Sequence, residues 1–173
     1  MSRLRRLVLS DRHFFITCRL LPPRRLLAGT EFECHAGVIA ERRAKHGFVL
    51  TAWLFLPDHW HAIFFPASPL TIALVMESIK VSSTARINAA RHESGKLWQP
   101  RFFDRVLRTV KEYREKVDYI HQNPVRAGLV KRAEDWLWSS AREYSGTLQA
   151  PASVHPNLSI DRIVLPSDEQ TRI

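Results

Sequence analysis

The chain has 173 residues, enough to bury a full core in one domain. Its 26 Lys and Arg against 17 Asp and Glu give a net charge of +9, which favours a polyanionic partner, nucleic acid first among them. A membrane partner is disfavoured, because no stretch approaches a span and the charge comes with neither a basic amphipathic helix nor a lipidation signal.

The N-terminus places Arg3, Arg5 and Arg6 ahead of an apolar run, Leu7 to Leu9, that is too short for a signal peptide and points to the cytoplasm. A β-strand is predicted from His13 to Leu20, with Phe14, Ile16, Cys18 and Leu20 on one face, and Pro22-Pro23 stops it. A helix follows from Thr30, which forms a capping box with Glu33, and runs past Phe32, Cys34, Ala36 and Ile39 to a stop at Gly47. Cys18 and Cys34 share no CxxC spacing, so both are expected to be reduced thiols. An apolar strand from Phe48 to Leu56, a Pro57-Asp58 turn and a second strand ending at Pro66 read as a hairpin.

Ser68 as cap and Pro69 in the first turn then open a helix with a buried stripe of Ile72, Val75, Met76, Ile79 and Ser83, ending near Ala90 before Gly95. Arg101 to Leu107 reads as extended. A second capping box, Thr109 with Glu112, starts a helix with Val110, Val117 and Ile120 on its apolar face and Tyr113 beside them, ended by Asn123-Pro124. Val125 to Tyr144, with Trp136 and Trp138, is expected to pack back on the body. Residues 146–173 read as a loose tail in which Ile160, Ile163, Val164 and Leu165 are able to dock, leaving 1–145 as the folded domain. The order strand, helix, strand, strand, helix, strand, helix predicts an α+β fold, a ferredoxin-like antiparallel sheet with helices on one face.

His59 and His61 lie one residue apart on the second hairpin strand. Side chains on a strand alternate, so both point to one face, roughly 7 Å apart along the backbone, with Trp60 on the other. Such a pair can grip one metal ion; it also fits a half-buried strand that merely carries two histidines. Tyr119 lies off the apolar stripe of the third helix, and Asn123, four residues on, sits one turn above it.

His59-Trp60-His61 matches the His-hydrophobic-His motif of the HUH endonucleases. Ala52-Trp53-Leu54-Phe55-Leu56-Pro57-Asp58 before it, Leu97-Trp98-Gln99-Pro100-Arg101-Phe102-Phe103, Val117-Asp118-Tyr119-Ile120-His121-Gln122-Asn123-Pro124-Val125, and Asp135-Trp136-Leu137-Trp138-Ser139-Ser140 together resemble the REP-associated tyrosine transposases. These are single-tyrosine HUH enzymes related to insertion-sequence transposases, and the likeness runs in order over residues 10 to 145.

The resemblance implies an HUH endonuclease fold, with Tyr119 as nucleophile and His59 and His61 as metal ligands. It implies Asn123 as a third, polar ligand, a place for which Gln122 competes. A set of two imidazoles and an amide oxygen suits Mg²⁺ or Mn²⁺ better than structural zinc. It further implies single-stranded, hairpin-forming DNA as partner, a 5′-phosphotyrosine intermediate, an address at the nucleoid, and a monomer or homodimer. The candidate DNA contacts are Arg101 with Trp98 and Phe102, the basic face of the second helix (Lys80, Arg86, Arg91), and Arg3, Arg5 and Arg6. A transposase-derived regulator that binds hairpins without cutting them is the alternative.

Overall fold

The computed structural model describes residues 10–145 and 158–173; Arg3, Arg5 and Arg6 lie outside the described residues. Four strands, β1 (His13–Arg19), β2 (Val49–Phe55), β3 (His59–Phe65) and β4 (Phe103–Leu107), form one antiparallel sheet ordered β2-β3-β1-β4. Helix α1 (Gly29–His46) carries the chain from β1 to β2 and leaves between them the slot that β3 fills. Helix α2 (Ile72–Arg91) carries it from β3 to β4 around β1. That is the split arrangement of a ferredoxin-like fold, as the element order predicts.

Helices α1 and α2 share one face. They bury Phe32, Ala36, Ile39, Val75, Met76 and Ile79 against Phe14, Ile16, Cys18, Trp60 and Phe64 of the sheet. The opposite face is covered as well. Helix α3 (Val110–Arg126) lays Tyr113, Val117 and Ile120 on Phe15, Leu54, Ile63 and Leu107. Both sets of strand residues are apolar, and a sheet apolar on both faces has to be covered on both. A bulge at Thr51, where the register with β3 shifts between Leu50 and Ala52, lets Leu50, Trp53 and Phe55 all reach the α1–α2 side.

Two helix starts differ from the sequence reading. Helix α1 begins at Gly29 with Ala28 in the cap position, two residues ahead of Thr30, because the Ala28 N–H donates to the Glu31 carboxylate at 2.9 Å. Glu31 is fixed from afar by Arg91 of α2, whose Nε donates to it at 2.6 Å, so a long-range ion pair outweighs the local Thr30–Glu33 box. Helix α2 is capped by Thr71, which accepts from the Leu74 N–H at 3.3 Å, and Ser68 and Pro69 lie ahead of it. Thr109 does cap α3, and Gly47 ends α1 with φ +73°, both as predicted.

Pro124 lies inside α3 and does not end it. Only the last turn follows it, so the missing N–H removes one bond near an already fraying end. The Val125–Tyr144 segment packs back on β2: the Phe55 N–H donates to Trp138 O at 2.8 Å, and Trp136 Nε1 donates to Phe55 O at 2.9 Å. Of the tail residues read as able to dock, Ile160, Ile163 and Leu165 pack on the body and Val164 is fully exposed. Leu158 is fully buried with the α1–α2 core, Ile163 and Leu165 pack in the cluster under α3, and Asp161 donates its N–H to Leu50 O while its carboxylate accepts from the Leu50 N–H. Polar spacing in this segment hid a strap that closes the open start of β2.

Glu31 and Arg91 are nearly sealed, with side chains 9% and 1% exposed. Burial raises the Glu31 carboxyl, but the bonds from Arg91 and Ala28 outweigh it and hold the group below its ordinary range. Its contribution to stability is therefore full above the ordinary carboxylate range and is lost as pH falls through the lowered folded value. Glu31→Gln leaves Arg91 buried without its anion and is expected to cost about 3 kcal/mol in urea denaturation. Removing the half-exposed Arg86–Glu41 pair with Arg86→Gln is expected to move the urea midpoint far less, because solvent screens an exposed pair.

Candidate active site

β3 places His59 and His61 on the face beneath α3, and Trp60 between them is fully buried on the other face. In the antiparallel register His61 lies directly opposite Thr17 of β1, and His59 opposite Arg19. Opposed residues share a face, and Thr17 Oγ1 lies 2.9 Å from His61 Nδ1. Asp58, in the turn, holds His59 Nδ1 at 2.6 Å. The two imidazoles stand nearly perpendicular, 4.9 Å apart between ring centres.

Helix α3 brings the other two predicted residues to the same place. Tyr119 sits on the flank of its apolar stripe, with its ring 5.5 Å from that of His61 and 5.8 Å from that of Phe15. Asn123, one turn on, reaches His61 Nε2 with its amide nitrogen at 3.4 Å, whereas Gln122 is exposed. The geometry thus assembles His59, His61, Tyr119 and Asn123 from a single chain. Phe15 is the floor between helix and sheet; it stacks on His61 at 5.4 Å with the rings 21° apart.

His61 is 2% exposed. Burial first, then the charges of His59, Arg19 and Lys116, push its pKa down to about 3. At neutral pH the ring is uncharged. Asn123 donates to Nε2, so the ring proton belongs on Nδ1, facing the Thr17 hydroxyl. Asp58 accepts only, so the proton of His59 also belongs on Nδ1. Each ring thereby keeps its proton on Nδ1 and leaves Nε2 unprotonated, that of His61 accepting from the Asn123 amide.

Among the described residues no cluster of three or more His, Cys, Asp or Glu is built to hold a metal. The donor set that is present fits an open catalytic ion: two Nε2 atoms, each with its Nδ1–H fixed by a neighbouring oxygen, and one amide. Turning the Asn123 amide by 180° presents its oxygen where the nitrogen now lies.

The predicted DNA contacts scatter. Trp98 is core, 2% exposed, and donates from Nε1 to Ser83 Oγ at 2.9 Å. Lys80 spends its ammonium on the carbonyls of Gln99 and Pro100 at 2.7 and 3.0 Å. Arg86 forks onto Glu41 of α1, and Arg91 is sealed on Glu31. The basic face of α2 thus holds the α1–α2 layer and the 95–100 loop together. Arg101 alone stays exposed with no ion pair among the described residues. The cations that do reach the site are Arg19 of β1, opposite His59, and two from α3. Lys116 Nζ lies 4.8 Å over the Phe15 ring and 5.0 Å over that of Tyr119, and the Arg126 guanidinium lies 5.8 Å from the Tyr119 ring. Lys116 precedes Tyr119 by three residues and Arg126 follows it by seven, a helical spacing that could have marked both. Thr17 carries no such signal, since only the strand register brings it to His61.

The family model for IS200-like transposases matches residues 24–123 of this chain. The REP-associated tyrosine transposase of Escherichia coli K12 is 33% identical over 143 residues, covering 81% of this chain and 82% of that protein. A solved REP-associated tyrosine transposase bound to a REP hairpin shares the fold with a TM-score of 0.74 at 28% identity, over 100% of this chain and 99% of that one. A structure solved as a candidate transposase from Deinococcus radiodurans has a TM-score of 0.50 at 17% identity, over 71% of this chain and 97% of that one, a likeness of fold alone.

In the metal-free protein, nitrogen-15 NMR is expected to find the His61 ring uncharged from about pH 7 to below about pH 5, with its proton on Nδ1. Thr17→Val should spread that proton over both nitrogens while unfolding stays cooperative. Titration of His61 near the ordinary value of about 6.5 would be incompatible with this buried environment.

Proposed function

Because this chain belongs to the IS200-like transposases, and among them to the REP-associated tyrosine transposases, we propose that it cuts and rejoins single-stranded DNA next to a hairpin, through a covalent link to Tyr119. The observation that carries the proposal is the meeting of Tyr119 with His61 across Phe15, with His59 and Asn123 beside them. The catalytic domain is assigned to residues 1–145, strapped by the docked segment 158–173. All four residues come from one chain, so a site needs no second copy.

His59, His61 and Asn123 would hold Mg²⁺ or Mn²⁺, which when bound supplies positive charge to the scissile phosphate. The protein does the rest. Tyr119 gives up its phenolic proton and its oxygen attacks phosphorus; the P–O3′ bond breaks and the 3′-oxygen leaves, taking up a proton. A 5′-phosphotyrosine and a free 3′-hydroxyl result. The phosphodiester bond has been exchanged, so attack by a 3′-hydroxyl on the adduct rejoins strands without ATP. Lys116 and Arg126 flank Tyr119 where a phosphate approaching it needs positive charge. Thr17 and Asp58 keep the two imidazoles in the ligating tautomer.

The DNA partner is proposed to be a hairpin of the REP type, to which the solved relative is bound, here with a single-stranded flank that carries the scissile phosphate. No helix among the described residues is long and apolar enough to cross a membrane, in keeping with a place at the nucleoid.

A denaturing gel of purified protein with Mn²⁺ and hairpin DNA from the flanks of its own gene tests this. The wild type should give a metal-dependent covalent adduct. Tyr119→Phe should give none while still binding the hairpin, His59→Ala and His61→Ala should lose it, and Thr17→Val should lower it about 10- to 100-fold. Hairpin binding by the wild type without any adduct would leave a non-cleaving, hairpin-binding regulator.

A further inference from the structure

Phe103 opens β4, an edge strand of the sheet, and pairs in register with Thr17. Its side chain therefore shares the face that carries Thr17, His61 and His59. Among the described residues it is the one strongly exposed phenylalanine, at 58%. Its ring meets the edge of Phe15 at 6.2 Å, and Phe15 in turn stacks on His61 and touches Tyr119. A row of aromatic rings thus leads from open solvent to the proposed nucleophile, with Phe103 exposed, Phe15 and His61 buried and Tyr119 half-buried. Lys116 lies over the second ring of the row, and the exposed Arg101 precedes Phe103 by two residues.

An apolar, flat surface bordered by cations is the chemistry that receives a nucleobase together with its phosphates. Resting on the reading of the site as one for single-stranded DNA, we propose that Phe103 is the stacking platform for a base of the single strand beside the scissile phosphate. Phe15 backs it rigidly. Stacking there fixes how far along the strand the phosphate at His59, His61 and Tyr119 falls, so Phe103 is a positioning residue that sets the cleavage register. Every base offers a π-face, so the contact adds affinity without choosing a sequence.

The test uses the full chain in EDTA, where no cleavage occurs, with hairpin DNA carrying 2-aminopurine at one single-stranded flank position at a time. Wild type is expected to quench the fluorescence at one or two adjacent positions. Phe103→Ala and Phe103→Leu should lose that quenching and bind the flanked hairpin about tenfold more weakly. Both should bind a blunt hairpin as the wild type does, and Phe103→Trp should restore quenching and affinity. Full quenching in Phe103→Ala overturns the proposal. So does a wild-type dimer, seen by light scattering, that Phe103→Ala breaks to monomers without loss of quenching, since Phe103 would then serve a contact between copies. The adduct assay is independent: quenching through Phe103 with no adduct overturns cleavage alone, and adduct formation with quenching unaffected by Phe103 overturns the platform alone.

Discussion

The site depends on the register between β1 and β3. It sets Thr17 against His61 and Arg19 against His59, and on the other face it sets Cys18 against Trp60 and Ile16 against Ala62. Side chains alternate along a strand, so a slip by one residue would carry both histidines into the α1–α2 core and bring Trp60 out beneath α3. Trp60 is fully buried, and burying an aromatic side chain is worth roughly 2–3 kcal/mol. The packing of one face therefore fixes the chemistry of the other. The histidine motif needs its central residue to be large and apolar because that residue anchors the register.

Most of this was legible from local pattern. Strand alternation put His59 and His61 on one face, and helical spacing put Asn123 a turn above Tyr119; the structure joins all four. What local pattern could not show is whatever long-range contacts decide. Helix α1 starts at Gly29 because Arg91, sixty residues on, holds Glu31 at the first turn. Long-range pairing likewise takes up the charges of Arg86, on Glu41 at the surface, and Arg91, buried on Glu31, so their spacing on one helix face does not make a free basic stripe. The strap of residues 158–173 was legible only as a few apolar residues able to dock: its anchors, Leu158, Ile163 and Leu165, follow no single period, since they serve two different cores.

The net charge of +9 favoured a polyanion, but the structure shows how weakly net charge locates a binding surface. Arg24, Arg43, Arg86, Arg91, Arg105 and Arg114 each pair with a carboxylate. A charge already neutralised by a neighbour has little left to offer a phosphate at physiological ionic strength. The cations that would serve the proposed phosphate are Lys116 and Arg126 beside Tyr119, where low local polarity from Phe15 and His61 strengthens their field. Placement, more than number, gives them effect.

Phe15 is where the demands on the site meet. It is 3% exposed and touches His61, Tyr119 and Phe103, with Lys116 above it. Its ring fills the height between sheet and helix, so its bulk sets how far Tyr119 stands from the histidines. A smaller residue would let α3 settle or water enter, and either would change the distance between nucleophile and phosphate ligands. A polar residue would need partners that this dry floor does not provide. An aromatic ring alone satisfies the packing, presents a π-face to Lys116, and passes a rigid edge outward to Phe103. The residue that makes no bond to a substrate thus sets the separation between the groups that would.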